Sequence, residues 1–380
     1  MTISMKIRKN TSSRPGAALL VVLIIVMAIT ITALGFVSQS DVELACGQNM
    51  VLHRQMDYLA ESGLEHARGL ILNPQDVGSE YWAGSTGLQL VSGSDYYNVV
   101  VTRDASDLCN YIIDCDSYRM KNTERVGFSS LRAELRLDPC IAYWVGSNTT
   151  VRSKMTIKGD VYGNGTLTNN SIIGIDGDVF AAGTISGANI TGRKSESVAS
   201  APVAWPGLVI ATPYYIGSTL YSAEPNISTP PFNPSPSNPA GIRYCIGDVN
   251  MPGNVTINGT LVVNGNLIVS GPNNTITAVK NFPALLVTGR VEMEGSGSLV
   301  IQGLAQIGGP ITTVDPNATN PSLNVTGGLF VQTDGVVSDL ISVSVTAAPA
   351  IASIEVWPAG VSRRWGPAGG AFFRSIARTQ

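Results

Sequence analysis

The residues of this 380-residue chain that could do chemistry are few and scattered. Asp160, Asp178 and Asp248 each sit in a Gly-Asp-Val triplet. Stacked in register in a repeating fold, they would form a column of carboxylates, suited to acid–base work or to holding calcium. An aspartate after glycine is equally a turn residue, basic partners are scarce, and no nucleophile–base pair can be named. Asp104, Asp107, Asp114 and Asp116 cluster more tightly, but without the spacing of an EF-hand loop, so a solvated turn accounts for them. The two histidines, His53 and His66, both lie near the N-terminus. Everything after residue 66 therefore lacks the commonest general base. No GxxxxGK[ST] loop occurs, nor a GxGxxG between strand and helix. The five cysteines (Cys46, Cys109, Cys115, Cys140 and Cys245) form no CxxC pair, so zinc is not expected. In an exported chain, Cys109 and Cys115 are candidates to close a small loop as a disulfide. The alternative is buried free thiols, and the odd total leaves at least one unpaired. A net charge of −3 argues against nucleic acid. We expect no catalytic residue, cofactor or metal.

The informative pattern is in the glycines. In "GNVTINGTLVVNGNLIVSG" (residues 253–271), Gly253, Gly259, Gly265 and Gly271 fall six apart, and Gly247 extends the frame. Gly289 lies 18 beyond Gly271, and Gly295 six further. Residues 159–176 and 177–194 align position by position at a spacing of 18, or three sixes. Apolar residues at positions three and five of each hexad share one face of a short strand. Glycine then takes the corner, where positive φ or close backbone approach is required. Three strands and three corners close one coil of a parallel β-helix, which is stabilised by stacking on its neighbours. Val255, Ile257, Leu261, Val263, Leu267 and Val269 should line the interior. Asn254, Thr256, Asn258, Thr260 and Asn264 should face outward or occupy turns.

Those coils need a support, and the rest of the chain offers one. Residues 1–16 carry Lys6, Arg8, Lys9 and Arg14 and no acid; residues 17–37 carry no charge. The latter are 21 residues, and ~20 span a bilayer. The basic flank places the N-terminus in the cytoplasm and the rest outside. Met56, Leu59, Gly63, Leu64, Ala67 and Leu70 continue at helical spacing until Asn73-Pro74. One helix from about Pro15 to Leu72 would be ~85 Å long. Residues 95–139 alternate as three strands, as expected of a small antiparallel sheet packed on that helix.

"RPGAALLVVLI", followed by "YLAESGLEHA", resembles the N-terminal segment of type IV pilins and pseudopilins, and most of all PilX-type minor pilins. The resemblance covers about residues 14–72. It implies cleavage by a prepilin peptidase between Gly16 and Ala17. The membrane helix would begin with Leu19, Leu20, Val21, Val22, Leu23, Ile24 and Ile25. Major pilins carry glutamate at the fifth mature position; here it is Val21, a departure that in those families goes with minor or tip subunits. The hexad region resembles bactofilin-like, polymer-forming β-helices.

The expected fold is mainly β: a long transmembrane helix, a small antiparallel sheet, then a parallel β-helix of 18 residues per coil with a Pro-rich insert. The expected divisions are a leader (1–16), the helix (17–75), a strand-rich head (76–145), first coils (146–194), an insert (195–244), further coils (245–346) and a tail (347–380). The insert holds nine prolines and should leave one edge of the rod, with Trp205, Tyr214, Tyr215 and Tyr221 either packing it down or offering a contact surface. Phe372, Phe373 and Ile376 should lie on a terminal helix covering the last coil, or form a docking site. The expected role is structural: a minor or tip subunit of a type IV pilus or related secretion filament, held in the bacterial inner membrane with its rod outside for adhesion or recognition of an unnamed surface ligand. Its partners would be other pilin-like subunits, the inner-membrane assembly platform and a prepilin peptidase. The rivals are a membrane-anchored scaffold polymerising end to end and, behind it, a surface carbohydrate-active enzyme. Hexapeptide acyltransferases need a histidine beside the groove, which this region lacks.

Overall fold

A computed structural model of the chain describes residues 15–72, 81–137, 140–202, 205, 213–216, 219–227, 232–279, 282–316 and 318–348, and the backbone of strands at 352–354, 363–365 and 371–379. The basic leader up to Arg14 and the Asn73-Pro74 stop lie outside the described residues.

The helix α1 (Pro15–Leu72) is continuous over 58 residues. Proline stands at its first position, where its missing N–H costs nothing. Its C-terminal part buries Met56, Leu59, Ala60, Leu64, Ala67 and Ile71, one stripe at three- and four-residue steps. That stripe lies on an antiparallel sheet of β1 (Gly84–Leu88), β2 (Asp95–Arg103), β3 (Asn110–Lys121) and β4 (Glu124–Leu137), in that spatial order. The inward residues alternate as period two requires: Val99 and Val101, Ile113 and Cys115, Leu131, Ala133 and Leu135. Helix and sheet meet closely at Gly63, where a Cβ would collide with the Cys115 sulfur and the Tyr97 ring. The Ser117 hydroxyl donates to the Met56 carbonyl at 2.7 Å, and the Ser129 hydroxyl to Asp57 Oδ1 at 2.7 Å. These bonds tie the helix backbone and its one buried acid to the sheet.

The sheet takes a fifth strand from the C-terminus. Ala371–Thr379 pairs antiparallel with β4. This corrects the expected terminal helix bearing Phe372, Phe373 and Ile376. The outer edge of β4 presents a row of unpaired backbone groups, and a nine-residue extended segment satisfies them.

From β5 (Ile141–Val145) onward the chain forms a three-faced parallel β-solenoid of about nine turns, a rod of ~40 Å at the strand spacing of ~4.8 Å. The six predicted interior residues, Val255 to Val269, are all buried. The echo between 159–176 and 177–194 is a true stack: Val161 pairs with Val179 and Tyr162 with Phe180. Thr260 stands at the corner between Thr256–Asn258 and Leu261–Asn264, as expected, but not in solvent. It is fully buried, its hydroxyl donating to the Pro283 carbonyl at 2.7 Å.

The order of the coils is not the order of the chain. On one face, β5 lies between Asp160–Gly163 on one side and Ser322–Val331 on the other. Beyond Asp160–Gly163 come Val179–Ala181 and Lys194–Ser195; beyond Ser322–Val331 the rungs run back to Glu224–Pro225. On the next face Ser342–Ala347 stacks on Met155–Lys158. All these pairings are parallel. The solenoid therefore winds from residue 224 to 347 and then, without a break in pattern, from 141 to 195. The chain enters and leaves at mid-rod, and the solenoid's two terminal rungs, Lys194–Ser195 and Glu224–Pro225, are the ones joined through the segment that follows residue 195.

The insert is thus a return strap rather than a loop off one edge. Its described aromatic residues Trp205 and Tyr214 lie on the outside of the face that holds β5. Trp205 packs on Trp144 (ring centroids 4.9 Å apart) and Phe330 (6.2 Å). Tyr214, fully buried, meets Phe282 at 5.8 Å and bonds Asn238 Oδ1 through its hydroxyl at 2.6 Å. Val262, Leu286, Leu304 and Phe330 point away from the solenoid interior and are nonetheless buried under it.

Because the seam at β5 is made of backbone pairing, cutting the strap should not separate the two halves. A protease site inserted after Ser222 and cleaved should leave fragments that co-elute in size-exclusion chromatography under native conditions. Separate elution would mean that β5 does not hold Ser322–Val331.

Candidate functional site

The apolar part of α1 is the first surface with a functional bearing. Leu19 to Ile25 are each 51–72% exposed, and the bare apolar residues continue through Phe36, Val37 and Leu44 to Val51. By length and composition this helix could cross a membrane. At Leu52 the environment changes: its side chain sits where a Cβ on Gly127 of the sheet would fall. One helix therefore has a half covered by its own head and a half covered by nothing among the described residues. Gly16 and Ala17 lie in the first turn, but their side chains are outside the described residues.

The second feature is the junction of head and rod. Cys109 forms a disulfide with Cys140, Cα atoms 6.4 Å apart, which corrects the Cys109–Cys115 expectation. Six residues along an extended strand separate those two by ~20 Å, far beyond disulfide reach. Cys115 lies in the head core against Gly63. Burial, with a smaller contribution from the Asp116 charge, pushes its thiol up to about 12. Arg136 of β4 lies between Asp107 of the head (3.6 Å) and Asp160 of the rod (3.7 Å).

Asp160 is fully buried. Its Oδ2 accepts from the Cys140 N–H at 2.8 Å and its Oδ1 from the Asp178 N–H at 3.0 Å, so one carboxylate clamps three successive rungs. Burial raises its pKa against the opposing pull of those bonds and Arg136. Asp178 repeats the motif one coil on. It accepts from the Arg193 N–H at 2.8 Å and from its guanidinium at 2.6 and 3.0 Å. Burial there works upward, but the Arg193 bonds and charge outweigh it and the pKa is lowered. Asp248 is not in this column. It sits at a different corner of another coil, accepting from the Asn266 N–H at 2.8 Å. The three triplets do not converge, and the two that stack spend their oxygens on the rod. No group of three or more metal-ligating side chains exists among the described residues.

The corner glycines divide by mechanism. Gly247, Gly253 and Gly259 have positive φ. Gly265 and Gly271 do not; there a Cβ would collide with the backbone of Gly247 and Pro252 in the coil below. Hexad spacing marks both kinds alike.

No protein-family model matches this chain, and no curated protein does. Among solved structures it is similar to the competence-associated pilin ComZ from Thermus thermophilus, at 14% identity and a TM-score of 0.32, over 86% of this chain and 98% of that one.

Asp160→Ala should leave the buried Cys140 N–H and the part-buried Asp178 N–H unpaired and lower unfolding stability by about 1–3 kcal/mol for the first and less for the second. Asp248→Ala, at an exposed corner, should cost clearly less. Equal losses in thermal melts would contradict the ladder assignment.

Proposed function

We propose that this chain is a membrane-anchored pilin-like subunit, a minor or tip component of a type IV pilus or a related type II secretion-like filament, which presents its solenoid outside the membrane for adhesion or recognition. The observation that carries this reading is the divided helix: Leu19–Val37 bare and without a charge, Met56–Ile71 with its apolar stripe buried on a small sheet. A stripe of that length is stable only in lipid or against other apolar helices. A bundle of identical or related helices satisfies it after extraction from the bilayer. Val21 at the fifth mature position supports a minor rather than a major place, because it removes a carboxylate that is costly in lipid together with the assembly contact it would make.

On this reading a prepilin peptidase cuts between Gly16 and Ala17, and an inner-membrane assembly platform extracts the subunit. The N-terminus is cytoplasmic before processing, and the head and rod lie outside. The role is structural and needs no cofactor. The commitment of Asp160 and Asp178 to inter-coil bonds supports that. Mass spectrometry of the membrane-extracted protein should find a mature chain beginning at Ala17. An intact leader would overturn the processed-subunit reading.

A second reading, end-to-end polymerisation of the rod, has one observation in its favour. The rod's two ends differ. At one, Phe232 is buried against Ile257 and lies under Arg243 (4.9 Å). At the other, Ile185–Gly187 and Lys194–Ser195 are terminal strands of their sheets. Deleting residues 1–37 separates the two readings. The remainder should stay unpolymerised if the helix is the assembly element, whereas filaments of the truncated chain would favour rod stacking.

A further inference from the structure

The three faces of the solenoid are not equivalent. One is apolar on its outside and covered by the strap. The next, running from Thr256–Asn258 through Asn274–Thr277, Ser298–Gln302, Ser322–Gly327 and Ser342–Ala347 to Met155–Lys158, is an unbroken ladder with nothing seated on it among the described residues. Its inward positions are Ile257, Ile276, Ile301, Val325, Val345 and Ile157, all buried.

Its outward positions form two straight columns. The first is Thr256, Thr275, Val300, Asn324, Ser344 and Thr156; the second is Asn258, Thr277, Gln302, Thr326, Thr346 and Lys158. Eleven of the twelve are uncharged, and ten of those are hydroxyl or amide side chains. The charge comes only toward one end, at Lys158 and at Asp176 beside it on the following rung, Gly174–Asp176. Those of Thr256, Thr275, Asn324, Thr326, Ser344 and Thr346 make no side-chain hydrogen bond to other described residues, so their donors and acceptors point outward unspent.

A merely solvated sheet looks different in this same chain. The outward face of the head sheet carries Asp114, Asp116, Arg132 and Glu134, as sheets facing water ordinarily do to remain soluble. The solenoid face has the donors and acceptors but lacks the charge. It presents them on a flat grid, ~4.8 Å between rungs and ~6.7 Å between alternate residues of a strand. It cannot attract a polyanion, having no row of basic side chains. Nor does it offer an apolar groove. What it matches is an uncharged polyol with a regular repeat.

We propose that this open face binds a neutral, extended β-linked polysaccharide laid along the rod axis, its successive rings meeting successive rungs. Each hydroxyl contact is weak, so affinity accumulates over many rungs and long chains bind where short oligosaccharides do not. The inference rests on the display reading above and names the class of ligand for it.

The test is co-sedimentation of the full-length, detergent-solubilised protein with microcrystalline cellulose and with chitin powder. Binding to at least one is expected, with little competition from the free disaccharides. The variant Thr256→Val/Thr275→Val/Thr326→Val/Thr346→Val keeps shape and strand propensity but removes four hydroxyls, and should lower retention at least tenfold with an unchanged melting profile. A control set on the remaining face, Thr150→Val/Thr168→Val/Thr312→Val, should retain binding. Sedimentation with neither solid, equal loss from both variant sets, or preference for double-stranded DNA would overturn the proposal. Failure of the filament reading would instead appear as an intact leader, which this measurement does not sense.

Discussion

The structure depends on one set of backbone hydrogen bonds, the parallel pairing of β5 with Ser322–Val331, continued by Ser342–Ala347 on Met155–Lys158. Without it the chain would hold two short stacks, each with an open end. With it, residues 224–347 and 141–195 become one solenoid with one core. The corner beside the seam shows how close the match is. Around Gly159 a Cβ would collide with Ala347 and sit against Ala142 and the Cys140 carbonyl, so the last residue of one segment and the first of the other occupy the place of a normal coil. Small residues are required there because three backbones converge.

That seam also explains the strap and the junction. A solenoid whose winding starts at residue 224 but whose chain arrives at residue 141 must carry the chain back along its length. The strap does so while burying Trp144, Tyr162, Phe330, Val262 and Leu286, an apolar surface that a bare solenoid could not leave in water. Arrival and departure at mid-rod place the Cys109–Cys140 disulfide, the Arg136 bridge and the Asp160 clamp at one spot, where the head's last long strand becomes the rod's first. The rod is therefore held by its middle, with an arm on each side of its attachment.

Much of this was readable in the residues. The hexad frame identified the solenoid and its interior, since glycine spacing and period-two alternation are local consequences of strand and corner geometry. The uncharged run and the stripe from Met56 to Leu64 identified the helix and its two environments, and alternation identified β2 to β4. Other features were not readable. Thr260 takes the corner its pattern indicates and Val262 the outward position, but both are buried, Thr260 bonded to the Pro283 carbonyl and Val262 packed with Tyr214 and Phe282. Cys109 meets Cys140 rather than Cys115, because a cysteine's partner is set by chain path and not by nearness in sequence. The tail joins β4 because that edge is vacant, which no pattern within residues 371–379 announces.

The sequence by itself determined the period, the strand class, the corner residues and the division of α1 into bare and covered halves. These follow from the conformational limits of each residue and from which side chains leave water. Only the tertiary structure decided the order in which the coils stack. A parallel rung satisfies the same backbone groups whichever segment supplies it, so nothing in a hexad specifies its neighbour. The choice is made by the seam at β5, by the strap that fits over it, and by the aspartate that spans three rungs there.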